Sequence, residues 1–268
     1  MEAINKNQIP VVILCGGRGT RLKEETEVIP KPLVKIGDKP ILWHIMKIFK
    51  TYGFTNFILP VGYKGEKIKE YFANYSVLQN DFTIQLGDFS KKEINLHNPN
   101  VDDWQVTIVD TGLETMTGAR LKKVEKFINN DLFLLTYGDG VSNVNLDKLL
   151  NYHLEKGTIA TVTGVRPPAR FGELSIEDGN VVSFREKPQT ASGYINGGFF
   201  VMKKDILKLL PEKDDLSLEG DVLPQIAEKK ELAVFCHDDY WQCMDTLRDV
   251  EFLNEEWQKG KALWKIWP

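Results

Sequence analysis

Cysteine is scarce in this chain: there are three in 268 residues, at positions 15, 236 and 243, an odd set without C-x-x-C spacing. That excludes a disulfide framework, and Cys236-His237 with Cys243 has the wrong spacing for a zinc ribbon. Cys15 lies in an apolar run and reads as a small core residue. Long apolar runs are also missing, and residues 1–8 are polar with no leader-like apolar core. The expectation is therefore a cytoplasmic protein with no membrane partner. Positive charge is not in excess: the net charge of −4 leaves no basic footprint for nucleic acid. The local cluster Arg120-Leu121-Lys122-Lys123 has an ordinary explanation as a solvated helix face. There is no internal repeat and no low-complexity segment. What remains is 42% hydrophobic and 27% charged, a globular composition with enough length for one large α/β core and an appended subdomain.

Within that composition one stretch stands out. Val11-Val12-Ile13-Leu14-Cys15 reads as a buried strand, and Gly16-Gly17-Arg18-Gly19-Thr20-Arg21-Leu22 follows at once. Glycines at 16, 17 and 19 remove side chains, so successive backbone N–H groups can close around anionic oxygens, while Thr20 adds a hydroxyl and Arg21 a permanent cation. The pattern is neither a Walker loop nor the G-x-G-x-x-G of a dinucleotide fold. Downstream, Ile29-Pro30-Lys31-Pro32 cannot form a regular helix, and Pro32 biases Lys31 towards extended backbone, which would aim its ammonium. A turn followed by a solvated basic loop is the plainer alternative for the glycines taken alone.

Periodicity organises the rest. Ile41, Ile45, Ile48, Phe49 and Tyr52 recur at helical spacing and stop at Gly53; residues 57–61 read as a short buried strand, completing a βαβ opening. A second helical pattern carries Ile68, Tyr71, Phe72 and Tyr75, and residues 82–86 read as a strand. Residues 88–103 are polar and aperiodic and read as an excursion before a strand over 105–110. A helix is expected over 118–128, a strand over 132–137, a helix over 146–156 and a strand over 159–163. This alternation predicts a doubly wound, mostly parallel, Rossmann-like α/β sheet over residues 10–165. From 166 onward, shorter strands and turns such as Asp178-Gly179 suggest a small mixed β subdomain over the sheet's mouth, with C-terminal helices over 205–210, 222–229 and 246–257.

Two aspartates carry the candidate metal chemistry. Asp139, between Gly138 and Gly140, follows the apolar strand directly, where open α/β sheets bind ligands; Asp-Gly is also a common turn. Asp245 precedes the last helix, where an N-cap role is equally natural. With the loop and two proline-flanked lysines, Lys31 and Lys187, they form an oxygen-rich, charge-neutralising set of the kind Mg²⁺ takes.

The combination G-G-x-G-T-R-L followed by Lys31-Pro32 resembles the signature of the sugar-phosphate nucleotidyltransferases. Pro40-Ile41-Leu42-Trp43-His44-Ile45-Met46-Lys47-Ile48, Phe72-Ala73-Asn74-Tyr75, Asp110-Thr111-Gly112, Met116-Thr117-Gly118, Tyr137-Gly138-Asp139-Gly140, Ile195-Asn196-Gly197-Gly198-Phe199-Phe200, Met244-Asp245-Thr246-Leu247-Arg248-Asp249 and Trp264-Lys265-Ile266-Trp267 are similar to its glucose-1-phosphate cytidylyltransferase branch. The resemblance implies transfer of a nucleotidyl group from CTP to glucose 1-phosphate with Mg²⁺ held by Asp139 and Asp245. It implies a single domain with residues 10–165 as a nucleotide-binding half and 166–268 as the small mixed β sugar-binding subdomain and C-terminal part, and nucleotide contacts from Leu14, Gly16, Gly17, Gly19, Thr20, Arg21, Lys31, Thr117, Gly118 and Arg120. Tyr137, Glu186, Lys187, Asn196 and Gly197 would bind the sugar phosphate, and Lys31, Arg21, Asp139 and Lys187 would act in catalysis. Arg120 also reads as an exposed helix charge, Asn196 as a turn residue, and Arg170-Phe171-Gly172-Glu173 as a sugar wall or a plain hairpin. Ser192-Gly193-Tyr194 and Glu219-Gly220-Asp221-Val222-Leu223-Pro224 depart from the branch, so UTP, dTTP or another acceptor stay open, as does a catalytically silent nucleotide-sugar sensor. A homo-oligomer is expected from the family and from Trp257, Trp264 and Trp267, an aromatic tail that either joins subunits or packs on its own.

Overall fold

The computed structural model describes residues 5–86, 93–97, 102–166, 173–177, 180–185 and 193–268. Seven strands form the central sheet: β1 (Val11–Leu14), β2 (Asn56–Val61), β3 (Gln105–Asp110), β4 (Leu132–Tyr137), β5 (Ala160–Val165), β6 (Ile195–Lys203) and β7 (Leu232–His237). Their spatial order is β7-β5-β6-β4-β1-β2-β3. All neighbours are parallel except at β6, which runs antiparallel to both β4 and β5.

Alternate residues of the inner strands feed two cores, as a sheet covered on both faces requires. Val11, Ile13, Leu134, Phe199 and Val201 join one cluster; Val12, Leu14, Phe133, Leu135, Phe200 and Met202 join the other. The first core is closed by α1 (Ile41–Thr51), α4 (Leu146–Lys156) and α5 (Leu247–Gln258). Helix α1 begins after extended Pro40 and buries Ile41, Leu42, Ile45, Met46, Ile48 and Phe49 on one stripe. It ends where Gly53 takes φ +90, a left-handed position that favours glycine. Two further helices, α2 (Gly65–Ala73) and α3 (Thr117–Lys123), follow β2 and β3. Leu121, Val124 and Ile128 are all buried in the second core. The helix expected over 118–128 stops at Lys123, however, and continues as the 3₁₀ turn Glu125–Phe127.

Several expectations change. The strand over 82–86 is Asp81–Ile84, and it pairs not with the main sheet but with Ile94–His97, inside the segment read as aperiodic. Its alternation is weak because Asp81, Phe82 and Thr83 are all exposed. The helix over 205–210 is a 3₁₀ helix, Lys204–Leu209, and that over 222–229 is split into a π-helix, Leu218–Val222, and Leu223–Glu228, with Pro224 in its first turn. Glu173–Glu177 and Asn180–Arg185 do form a separate hairpin, but β6 and β7 return to the central sheet, which thus draws strands from both sides of residue 166. The turn Asp178-Gly179 and the segment 170–172 lie outside the described residues. Trp264 is fully buried, and it stacks on Trp257 and Tyr240 while Trp43 meets Trp267 edge-on, so the aromatic tail packs on its own chain.

Candidate active site

The carboxyl ends of β1 and β4 lie side by side, with Leu14 paired to Tyr137, and a cleft of about 410 Å³ opens above them. Leu14, Cys15, Gly16, Gly17, Gly19, Thr20 and Arg21 form one wall; Lys31, Asp139 and Asp245 form the floor; Thr117, Tyr137 and Glu219 form the far side.

Each loop glycine has its own reason. A Cβ on Gly16 would stand 2.2 Å from Cζ of Arg120, so this glycine makes room for a guanidinium behind the loop. Gly19 has φ +62, a conformation that costs L-residues, and it turns the chain into the 3₁₀ turn Thr20–Leu22. Gly17 faces open space. Among the described residues no acceptor meets the main-chain N–H groups of Gly16, Gly17, Arg18, Gly19 and Thr20. A row of unspent donors at the edge of a parallel sheet suits an anion.

Arg120, from α3, is only 4% exposed, so it is not a solvated helix charge. It donates to the carbonyls of Gly16 (3.1 Å), Val61 (3.2 Å), Gly112 (2.8 Å) and Leu113 (3.3 Å) and to Thr111 Oγ1 (2.6 Å). Its guanidinium thus fastens three chain segments beneath the loop and places a positive charge behind Gly16. Arg21, by contrast, is largely exposed and bonds Asp245 Oδ2 at 2.7 Å.

Lys31 differs from expectation in its backbone. It opens a 3₁₀ turn, Lys31–Leu33, and the extended residue is Pro30, at ψ 148. Pro32 is tolerated there because the first N–H groups of a helical turn need no internal partner. The turn aims the ammonium into the cleft. Nζ donates to Asp139 Oδ2 and to Asp245 Oδ1, both at 2.7 Å. Burial alone would lower the Lys31 pKa, but Asp139 and Asp245 outweigh it and the net shift is upward. For Asp245, burial works to raise the pKa, and Lys31 and Arg21 bring it below its ordinary value.

The two aspartates, 106 positions apart in sequence, meet through one short ladder. Gly140–Ser142 pairs antiparallel with Trp241–Cys243, Gly140 opposite Cys243, and the Met244 N–H donates to the Asp139 carbonyl at 2.8 Å. Asp245 is not the N-cap of α5. Thr246 holds that position in a capping box with Asp249, which leaves the Asp245 carboxylate free for the cleft. Cys243, beside Asp245, has its thiol pushed up to about 12, chiefly by burial, so it is no nucleophile.

The donor set fits Mg²⁺. Two carboxylates from separate elements already converge on one cation, the Lys31 ammonium, in an open cleft. Among the described residues no group of three or more His, Cys, Asp or Glu is arranged to hold a metal, so the protein offers a two-carboxylate edge rather than a cage. Mg²⁺ keeps waters and takes substrate phosphates at such an edge.

At the far side Asn196 Nδ2 donates to Tyr137 Oη at 3.2 Å, and Gly198, with φ +81, lets the Tyr137 ring lie where its own Cβ would be. Gly197 is held by Trp241 through its carbonyl, at 2.7 Å, and Gly118 packs under Leu216, so neither lines the cleft. Glu186 and Lys187 lie outside the described residues. The residue that sequence reading passed over is Glu219, which binds both Tyr137 and Thr117. Its only signal was the departure at Glu219-Gly220-Asp221 from the branch pattern. Among the described residues no helix is long and apolar enough to cross a membrane.

Residues 10–257 match the family model described as Nucleotidyl transferase. The chain is 48% identical over 257 residues to glucose-1-phosphate cytidylyltransferase of Salmonella typhi, covering 96% of this chain and 98% of the relative. It is 45% identical over 256 residues to the probable glucose-1-phosphate cytidylyltransferase of Bacillus subtilis, covering 96% and 99%. Among solved structures, HddC from Yersinia pseudotuberculosis complexed with GMP-PN superposes with a TM-score of 0.66 at 27% identity, over 93% of this chain and 99% of that one. The loop at the carboxyl edge of the sheet and a match across nearly the whole chain lead to one conclusion: the protein belongs to the nucleotidyl transferase family.

Proposed function

We propose that the protein transfers the cytidylyl group of CTP to α-D-glucose 1-phosphate in a Mg²⁺-dependent reaction, giving CDP-glucose and pyrophosphate. The observation that carries this reading is the Lys31 ammonium shared between Asp139 and Asp245 at the foot of a loop with unspent N–H groups. The full-length similarity to proteins named glucose-1-phosphate cytidylyltransferase supports the choice of base and acceptor.

A phosphate oxygen of the sugar phosphate attacks the α-phosphorus in line, and pyrophosphate departs. That oxygen is already anionic near neutral pH, so the protein supplies no strong base and forms no covalent intermediate. Its work is to bring two anions together and offset their repulsion. The loop N–H groups, Thr20 and Arg21 receive the triphosphate. Lys31, kept charged by its two carboxylates, faces the α-phosphate region, and Arg120 adds a fixed charge behind Gly16. Asp139 and Asp245 would hold Mg²⁺, which when bound neutralises phosphate oxygens. Lys187 and Glu186 are assigned to the acceptor by family resemblance.

Pyrophosphate release tests the reading, scanning CTP, UTP, dTTP, ATP and GTP against glucose 1-phosphate with Mg²⁺. Release with CTP alone is expected. Release with another nucleotide keeps the reaction and changes its base. Silence with every nucleotide and every sugar phosphate tried turns the reading towards a nucleotide-sugar sensor.

A further inference from the structure

Glu219 enters the cleft from the π-helix Leu218–Val222, whose N-cap Ser217 accepts from the Gly220 N–H. Both its oxygens are engaged by hydroxyls. Oε1 accepts from Tyr137 Oη at 2.5 Å; Oε2 accepts from Thr117 Oγ1 at 2.6 Å and from Ser217 Oγ at 3.2 Å. A carboxylate accepts and does not donate, so the hydrogens of all three hydroxyls are turned towards it. The Tyr137 oxygen also accepts from Asn196 Nδ2 at 3.2 Å, and the Thr117 oxygen accepts from the Leu218 N–H at 2.9 Å. Neither hydroxyl has a hydrogen left to give.

Among the described residues Glu219, Tyr137 and Thr117 therefore present oxygen lone pairs to this side of the cleft, while the loop presents main-chain N–H groups and the Arg21 cation. A phosphoryl group placed against Glu219 would meet a carboxylate and two lone-pair faces. A ring hydroxyl placed there would find acceptors oriented to receive it.

We propose that Glu219 is a specificity-determining residue: by fixing the hydroxyls of Tyr137 and Thr117 it makes an acceptor face that selects a hydroxyl-donating sugar ring and disfavours a phosphoryl group placed against it. The inference rests on the nucleotidyl-transfer reading and deepens it. The hydroxyls belong to either the ribose of the nucleotide or the hexose of the acceptor, and the two sources share one chemistry. In Glu219→Gln the amide nitrogen cannot accept, so at least one hydroxyl must turn its hydrogen away, and the wall gains a donor. In Glu219→Ala both hydroxyls are released.

The test compares kcat/KM within pairs: CTP against 2′-deoxy-CTP and 3′-deoxy-CTP, and glucose 1-phosphate against its monodeoxy analogues. Wild-type protein is expected to prefer the hydroxylated member of at least one pair by roughly tenfold, the scale of one hydrogen bond made in an open site. Glu219→Gln and Glu219→Ala are expected to bring that ratio close to one, with the loss carried mainly by KM. Tyr137→Phe, which removes one lone-pair face and leaves Glu219 in place, is expected to shift the same ratio and serves if the Glu219 variants do not fold. Collapse in the nucleotide pair assigns the wall to ribose; collapse in the acceptor pair assigns it to hexose. A uniform loss with all ratios unchanged would show a merely structural residue and overturn the proposal, as would a wild-type protein indifferent to every deoxy analogue. Absence of wild-type turnover with CTP and glucose 1-phosphate would instead overturn the underlying reading, and this inference with it.

Discussion

At the floor of the cleft, charge is met by charge: Lys31 bridges Asp139 and Asp245, and Arg21 joins the second of these. At the far side, among the described residues, the Glu219 carboxylate is met by three hydroxyls and no cation. The first arrangement is responsive, because an ammonium between two carboxylates is held by attractions that an incoming anion or cation can redistribute. The second fixes hydroxyl orientation and leaves little to redistribute. On the proposed reading, the difference would let one cleft take a polyphosphate at its charged loop and floor and a neutral sugar ring at its hydroxyl side.

The largest effect that would sharpen this contrast is expected for Asp139→Asn. Pyrophosphate release should fall by roughly two to three orders of magnitude, the usual size for losing a group that stabilises developing charge. The melting temperature should barely move, because Lys31 retains Asp245. Near-normal turnover would break the contrast by showing that the charged floor is structural. Thr117→Val, on the hydroxyl side, should cost only about tenfold, as one hydrogen bond does.

Next in size is a stability effect behind the loop. Arg120→Met leaves the carbonyls of Gly16, Val61, Gly112 and Leu113 without their donor and is expected to cost about 2–4 kcal/mol in denaturant unfolding. Arg120→Lys should recover only part of that, since a point charge cannot fork to the same partners.

Gly16→Ala should be destabilising by about 1–3 kcal/mol because its Cβ would stand against the Arg120 guanidinium. Gly17→Ala, facing open space, should change stability by less than about 0.5 kcal/mol. Equal effects at the two positions would contradict the separate roles assigned to the loop glycines.

The smallest effect concerns pH. The folded-state pKa of Asp245 lies below its ordinary value of 3.8, so its contribution is present above that value and is lost as pH falls through the folded pKa. The Lys31 pKa lies above its ordinary 10.5, so its contribution is present below that value and is lost as pH rises through the folded pKa. Between these limits the pair leaves stability flat. Asp245→Asn should therefore shallow the acid limb of a stability-against-pH curve while leaving the neutral region unchanged in slope; an acid limb as steep as that of the wild type would count against the ion pair.

Much of this was legible in the chain itself. The apolar runs of β1, β2 and β4 and the helical spacing of Ile41, Ile45 and Phe49 report local burial, which is set by residues close in sequence. The loop glycines with Thr20, Arg21 and Lys31 likewise stand within 16 positions of one chain segment, so the lining they give to the cleft was legible locally. Lys31 shows the limit even there, since proline context alone did not distinguish an extended residue from the start of a 3₁₀ turn. Hydrophobic pattern found the strand Asp81–Ile84 but missed its partner Ile94–His97, because the two form an exposed ribbon held by pairing and not by burial.

The sequence by itself determined the strand-loop-helix opening, the family to which the chain belongs and the residue types available for chemistry, because these depend on short-range spacing and on backbone sterics. Only the tertiary structure decided that Asp245 reaches Asp139 through the ladder of Gly140–Ser142 with Trp241–Cys243, that Arg120 is buried behind Gly16, and that Glu219 closes the far side. Each of those depends on strands and helices distant in the chain being brought together by the two-faced burial of one sheet, and no local pattern encodes which distant partner arrives.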